Sequence, residues 1–139
     1  MMRLLPLAAL IAVASPVAAQ AQAPAQPDGY AERFLQSLKN GKVEEGLKAY
    51  AGGSQLFTRK LESDPSIAAQ IKFGLTSYGP ILSWERIDSE TLGTTARRDT
   101  YLVQHRDMVT RWRFIYMRIG TGWIATSFVY EDQAPTWFK

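Results

Sequence analysis

Residues 94–131 read TTARRDTYLVQHRDMVTRWRFIYMRIGTGWIATSFVYE. They constrain the architecture of the chain strongly, because they are rich in the β-branched and aromatic residues that favour strands. Breaks in this pattern occur at Asp107-Met108, typical of a tight hairpin turn, and at Gly120-Thr121-Gly122, where glycine allows a positive φ. An antiparallel meander is therefore predicted, with strands over 81–90, 94–106, 109–119 and 123–131.

A two-residue loop at Asp107-Met108 predicts the register of the central hairpin. In that register Tyr101 lies opposite Phe114, and Asp99 lies opposite Tyr116. Alternate residues of a strand share one side of a sheet, so these four side chains are expected on one face. The same register pairs Val103 with Trp112 and His105 with Thr110.

The two faces of this sheet are expected to differ. Trp112, Phe114 and Tyr116 are too large and apolar to lie in a row in water, so we expect helices to cover their side, the inner face. The opposite, outer face is half apolar, which is typical of a surface that contacts a partner. Its residues include Leu102, Gln104, Arg111, Arg113, Ile115, Met117 and Ile119.

Helices are predicted before the strands. Tyr30, Phe34 and Leu38 recur at helical spacing after Asp28, the expected N-cap. A later helix begins at Asp64-Pro65, and Gly79-Pro80 ends it. Helices followed by a meander define an α+β fold, with N-terminal helices packed on a curved, mainly antiparallel four-stranded sheet.

These elements resemble the nuclear transport factor 2-like superfamily. The resemblance rests on Tyr30-x-x-x-Phe34-Leu35 in the first helix, on Tyr78-Gly79 at the end of the last helix and on Gly122-Trp123 in the closing strand. It covers about residues 28–132 and is strongest to secreted bacterial members with no assigned activity. It implies a cone-shaped α+β fold with a pocket on the inner sheet face. Function stays open, because the superfamily contains enzymes, binding modules and dimerisation modules.

The beginning of the chain has the layout of a secretory signal peptide. Arg3 supplies the positive start, an apolar run follows, and Ala19-Gln20-Ala21 has small residues at the two positions that a signal peptidase reads. We expect a protein that is secreted, and periplasmic in a Gram-negative host, with no membrane span after cleavage. The expected segments are a signal peptide at 1–21, a flexible lead-in at 22–27, the domain at 28–132 and a C-terminal tail at 133–139.

Composition argues against several kinds of site. The sequence has no cysteine and one histidine, so neither a disulfide framework nor a metal site is expected. The net charge falls from +3 to +2 once Arg3 leaves with the signal, and a secreted chain with so small an excess is not expected to bind nucleic acid. No cofactor is predicted, because the chain has neither a P-loop nor a dinucleotide-binding glycine motif.

Four residues on the inner face could carry chemistry. A carboxylate near a phenol and an imidazole can act as a general base beside hydrogen-bond donors to an oxyanion. Sites of the ketosteroid isomerase and scytalone dehydratase type use such residues, but no family motif matches residue by residue, so no role is carried over. The alternative is structural: a solvated carboxylate, a half-exposed histidine and two core tyrosines. The candidates are Asp99, Tyr101, His105 and Tyr116.

Two further sets of residues are candidates for binding. Arg111 and Arg113 share the outer face and could hold an anion, with Arg106 as a third member. Their alternative is a solvated face on which arginines lie over apolar neighbours. Aromatic residues could line an apolar ligand pocket, and core packing is the alternative for them. These aromatic residues are Tyr78, Trp84, Trp112 and Phe114.

The sequence favours an exported, non-enzymatic binding or assembly module that forms a homodimer through its outer sheet face. The reasons are the lack of a catalytic motif and the mixed character of that face. The first alternative is a cofactor-free lyase or isomerase of the ketosteroid isomerase or scytalone dehydratase type, acting on a small apolar substrate. The second is a carrier of a lipid or another small apolar ligand.

Overall fold

The computed structural model describes residues 26–138, and the predicted signal peptide and most of the predicted lead-in lie outside the described residues. Within them, four helices precede four strands and a turn of 3-10 helix follows, so the chain is α+β as predicted. The elements are α1 (Tyr30–Lys39), α2 (Val43–Ala51), α3 (Gln55–Ser63), α4 (Ser66–Tyr78), β1 (Ile81–Leu92), β2 (Ala96–His105), β3 (Val109–Ile119), β4 (Gly122–Glu131) and the 3-10 turn Ala134–Thr136.

Side-chain hydrogen bonds lie at the starts of α3 and α4. Ser54 Oγ accepts a hydrogen bond from the backbone N–H of Phe57 at 3.2 Å, which satisfies a free donor at the start of α3. Asp64 Oδ1 accepts from the backbone N–H of Ser66 at 3.1 Å. The helix α4 begins one residue later than predicted, because its N-cap is Pro65, its first residue is Ser66, and Asp64 lies just before the cap.

The start of α1 differs from the prediction. Asp28 is not its N-cap: that position is Gly29, whose φ of +87° favours glycine, and no side chain caps the helix. The Asp28 carboxylate instead accepts a hydrogen bond from Arg97 of β2 at 3.0 Å. A long-range ion pair thus takes the place of the local cap and ties the start of the domain to the sheet.

The sheet is a meander in the order β1-β2-β3-β4, but the central turn differs from the prediction. The backbone N–H of His105 donates to the carbonyl of Met108 at 2.7 Å, so the loop residues are Arg106 and Asp107. Their backbone N–H groups donate to carbonyls at the α4–β1 junction, at 3.0 and 2.9 Å, and these contacts fix the turn. The predicted pairing is therefore wrong by two residues: Asp99 pairs with Phe114, Tyr101 with Trp112 and Val103 with Thr110.

A shift of two residues preserves the faces, because side chains alternate along a strand. Trp112, Phe114 and Tyr116 are all buried, which confirms the predicted inner face. Phe34 of α1 lies edge-on to Trp112 and Phe114, with ring centroids 5.9 and 6.0 Å apart. Ile71 of α4 belongs to the same core. The helices therefore cover this side of the sheet.

Irregular pairings bend the sheet. Between Ile115 and Tyr116 the pairing of β3 with β4 shifts, which leaves Thr126 as an extra residue on β4. Leu82 and Ile87 are extra residues on β1 in the same way. A bulge bends its strand and increases the local twist, so these positions account for the curvature of the sheet.

Candidate functional site

Asp99 lies on β2 and is only 1% exposed, so it is not the solvated carboxylate of the alternative interpretation. Its two oxygens accept hydrogen bonds from Arg97 Nε and Nη2, at 2.8 and 3.0 Å, and Oδ1 also accepts from Ser89 Oγ at 2.7 Å. The hydrogen bond to Asp99 raises the pKa of Arg97. The carboxylate is thus placed to hold the guanidinium of Arg97, whose side chain is 10% exposed, and this is a structural role.

Tyr101 and Tyr116 are buried on the same face as Asp99. The Tyr101 hydroxyl donates to a carboxylate oxygen of Glu32 on α1. Among the described residues, the Tyr116 hydroxyl has no hydrogen-bond partner. Burial raises the pKa of both phenols, so both remain protonated at neutral pH.

His105 lies at the C-terminal end of β2, and both of its ring nitrogens are within hydrogen-bond distance of protein atoms. Its Nδ1 is 3.1 Å from the Gly79 carbonyl oxygen, and its Nε2 is 3.0 Å from the Thr110 hydroxyl. The Trp112 indole N–H donates to that hydroxyl at 2.9 Å. Because the Gly79 carbonyl can only accept, Nδ1 carries a proton and donates to it. Burial lowers the pKa of His105 and favours the neutral imidazole, whose Nε2 then accepts from the Thr110 hydroxyl.

The four candidate catalytic residues do not form one site. Asp99, Tyr101 and Tyr116 are neighbours, but His105 is six residues beyond Asp99 along β2, about 20 Å in an extended strand. The cavity beside His105 has a volume of about 10 Å³, close to the minimum that holds one water molecule. The inner face around these residues is packed core, where the resemblance implies a pocket.

Two of the aromatic candidates are central to that core. Trp112 stacks on Tyr130, with ring centroids 4.5 Å apart, and on Phe114 at 5.9 Å. Trp112 and Phe114 are both buried. This arrangement favours core packing over the lining of a ligand pocket.

The other two aromatic candidates are half-buried at separate places. Trp84 lies on the edge strand β1, with Lys39 Nζ 6.0 Å from its ring centroid. Tyr78 ends α4 and donates to Asp132 Oδ2 at 2.7 Å, a hydrogen bond that, with burial, raises the pKa of Tyr78 to about 12. The structure does not bring the four aromatic residues to one common cavity.

Arg111 and Arg113 lie on the outer face, and both contact Glu131 of β4. Arg111 donates to Oε1 of Glu131 from Nε at 2.7 Å and from Nη2, and Arg113 Nη2 is 3.6 Å from the same oxygen. Arg106 lies elsewhere, in the hairpin turn, where it donates to Asp107. Because a carboxylate of the chain already lies between the two arginines, this geometry favours an internal ion pair over an anion site.

The outer face carries a depression of about 150 Å³ across β1, β2 and β3, lined in part by Leu92, Ile115 and Met117. Leu92 is 68% exposed and Met117 is 37% exposed. Ile119 follows Met117 on the same face of β3 and is 66% exposed. We call Leu92, Ile115, Met117 and Ile119 the apolar strip.

Sequence reasoning missed two half-buried partners of the buried residues Asp99 and Tyr101, namely Arg97 and Glu32. Arg97 could have been found, because alternation places it on the same face of β2 as Asp99 and Tyr101. Nothing local marks Glu32, whose partner Tyr101 is 69 residues away along the chain.

Comparisons with known proteins gave no match among protein-family models, curated proteins or solved structures. The resemblance to the nuclear transport factor 2-like superfamily therefore stays a prediction. Across residues 26–138, none of the helices has the length and apolar character that a membrane span needs. The same residues include no group of three or more His, Cys, Asp or Glu side chains placed to hold a metal ion.

Proposed function

We propose that the protein is an exported, non-enzymatic binding or assembly module of the nuclear transport factor 2-like type, and that it forms a homodimer through its outer sheet face. The observation that supports this most is the apolar strip. Several charged groups of this face are engaged with one another: Arg98 contacts Glu90, and Glu131 contacts Arg111 and Arg113. Leu92 and Ile119 of the apolar strip, by contrast, are 68% and 66% exposed.

The shape of the outer face also fits association between two copies. This surface has a depression, which is lined in part by Met117 and Ile115. Beside it lie projecting side chains such as Ile119. A two-fold axis presents the same patch from both copies, so a projection on each can enter the depression on the other. Removing exposed apolar side chains from water on dimerisation favours the association of two copies.

The lyase or isomerase alternative has less support. It needs a substrate to reach Asp99 or His105. Both side chains are buried, and both are hydrogen-bonded to other groups of the protein. A general base must lie within hydrogen-bond reach of the proton that it takes. The packing around these two residues therefore favours a binding function over a catalytic one.

Solution mass tests the proposal. We expect light scattering after size-exclusion chromatography to give twice the chain mass for the wild type. Met117→Glu places a charge in the apolar strip and should shift the mass to that of one chain. Leu56→Glu is the matched control, because Leu56 is 75% exposed on α3, away from the outer face, and should leave the dimer intact. A wild type that is monomeric throughout a dilution series contradicts the proposal, as does a Met117→Glu protein that stays dimeric.

A further inference from the structure

The helical layer contains a cavity that is separate from the outer face. It has a volume of about 270 Å³ and lies among α2, α3 and α4. Apolar side chains form most of its lining. Thr58 also lines it, but its hydroxyl donates to the Ala51 carbonyl at 3.1 Å and is therefore engaged. The apolar lining residues are Leu47, Ala51, Leu61, Ile67 and Ala68.

The cavity exists because α3 and α4 are loosely packed. Phe57 is the buried residue of α3, and Ile71 and Gly74 are those of α4. Leu61 and Ile67 reach the core but stay half-buried, with part of their apolar surface facing the cavity. An apolar ligand there would remove that surface from water, and an apolar lining with a few polar groups is typical of small-molecule sites.

Charged residues around the cavity have an acidic excess. Glu44 of α2 forms an ion pair with Lys72 of α4. Of the other charged lining residues, Lys48 is basic, and Glu62 and Asp64 are acidic. Among the described residues, neither Glu62 nor Asp64 has a cationic side chain within 4 Å. The cavity therefore combines an apolar interior with a net negative charge around it.

We propose that this cavity binds a small amphiphilic cation, an unbranched alkyl chain that ends in a protonated amine. The cavity of about 270 Å³ has room for a short alkyl chain. The ammonium group lies beside Glu62, which is exposed, because Oδ1 of Asp64 already accepts hydrogen bonds from Ser66. This proposal does not depend on the dimer, because the cavity and the apolar strip share no residue.

Calorimetric titration with octylammonium and with octanoate tests this proposal. Octylammonium should bind saturably, and octanoate should bind at least about threefold more weakly, because only the head group differs. Glu62→Gln should reduce that difference. Absence of saturable octylammonium binding contradicts the proposal, and equal binding of the two ligands contradicts its charge preference.

A matched pair of tryptophan variants locates the site. Ala68→Trp fills the cavity and should weaken octylammonium binding at least about tenfold. Ala69→Trp adds the same ring at the neighbouring exposed position of α4 and should leave binding unchanged. Equal binding by the two variants contradicts the assignment. Methyl resonances of Leu61 and Ile67 in the wild type give an independent readout, because octylammonium must shift them if it binds in this cavity.

Discussion

Tyr50 and Tyr116 are buried phenols that differ in their hydrogen bonds. The Tyr50 hydroxyl donates to the Ser127 carbonyl at 2.9 Å, whereas the Tyr116 hydroxyl has no partner among the described residues. Tyr50→Phe should lower the free energy of unfolding by about 1 kcal/mol, because it removes a hydrogen bond. Tyr116→Phe should leave it unchanged or raise it by up to about 1 kcal/mol, because it removes a buried, unbonded polar group. Urea denaturation of both variants measures the difference, and equal losses would show that the two hydroxyls are bonded alike.

His105 is the single histidine of the chain, so its effect on stability can be isolated. Folding lowers its pKa, so the unfolded chain takes up the proton first as the pH falls. Its contribution to stability is therefore complete above the unfolded pKa of about 6.5 and is lost as the pH falls from there through the lower, folded pKa. Urea denaturation across this range should show a loss in the wild type that His105→Gln lacks. The same loss in both proteins contradicts the assignment.

At the residue scale, the sequence predicts which side of the sheet a side chain faces but not what it contacts. Alternation along β2 is enough to place Asp99 and Tyr101 on the inner face. Asp28, Glu32 and Arg97 complete their environment, and two of these come from before or within α1. His105 is buried rather than half exposed because the α4–β1 junction covers the turn beside it.

At the scale of elements, the junction between α4 and β1 depends on Gly79. Its φ of +84° and ψ of 177° lie in a region that is essentially restricted to glycine, and an added Cβ would lie 2.9 Å from Arg106 Cβ. Gly93 in the β1–β2 turn also has a positive φ, +57°, but nothing lies within 4 Å of an added Cβ. Gly79→Ala should therefore cost about 3 kcal/mol of stability and Gly93→Ala about 1 kcal/mol. Equal losses in denaturant titrations would contradict a close approach at Gly79.

The same junction shows why element boundaries were easier to predict than the register. Hydrophobic spacing, Asp64-Pro65 and Gly79-Pro80 are local signals, and the helices and strands begin and end within a few residues of their predicted positions. The register of the central hairpin depends on hydrogen bonds from the loop at Arg106 and Asp107 to carbonyls of the junction. Such contacts join distant parts of the chain, so no local pattern shows them.

At the scale of the whole molecule, the two sides of the sheet have different roles. The inner face is packed core together with the helices, and the side chains that could have formed a catalytic site stabilise that core. The outer face leaves the apolar strip exposed between ion pairs. The α+β architecture followed from the sequence. The sequence did not show whether the inner face would be a pocket or a packed core, because that depends on how closely α1 and α2 approach the sheet.

Site-specific cross-linking tests most directly whether the outer face joins two copies. The sequence contains no cysteine, so a single introduced thiol reports on one position alone. With a short bismaleimide cross-linker, Met117→Cys should give a covalent dimer in high yield. Leu56→Cys on α3 should stay a single chain, although Leu56 is more exposed than Met117, at 75% against 37%. Two results would show that the apolar strip does not form the interface. One is that Met117→Cys is not cross-linked, and the other is that Leu56→Cys is cross-linked as efficiently as Met117→Cys.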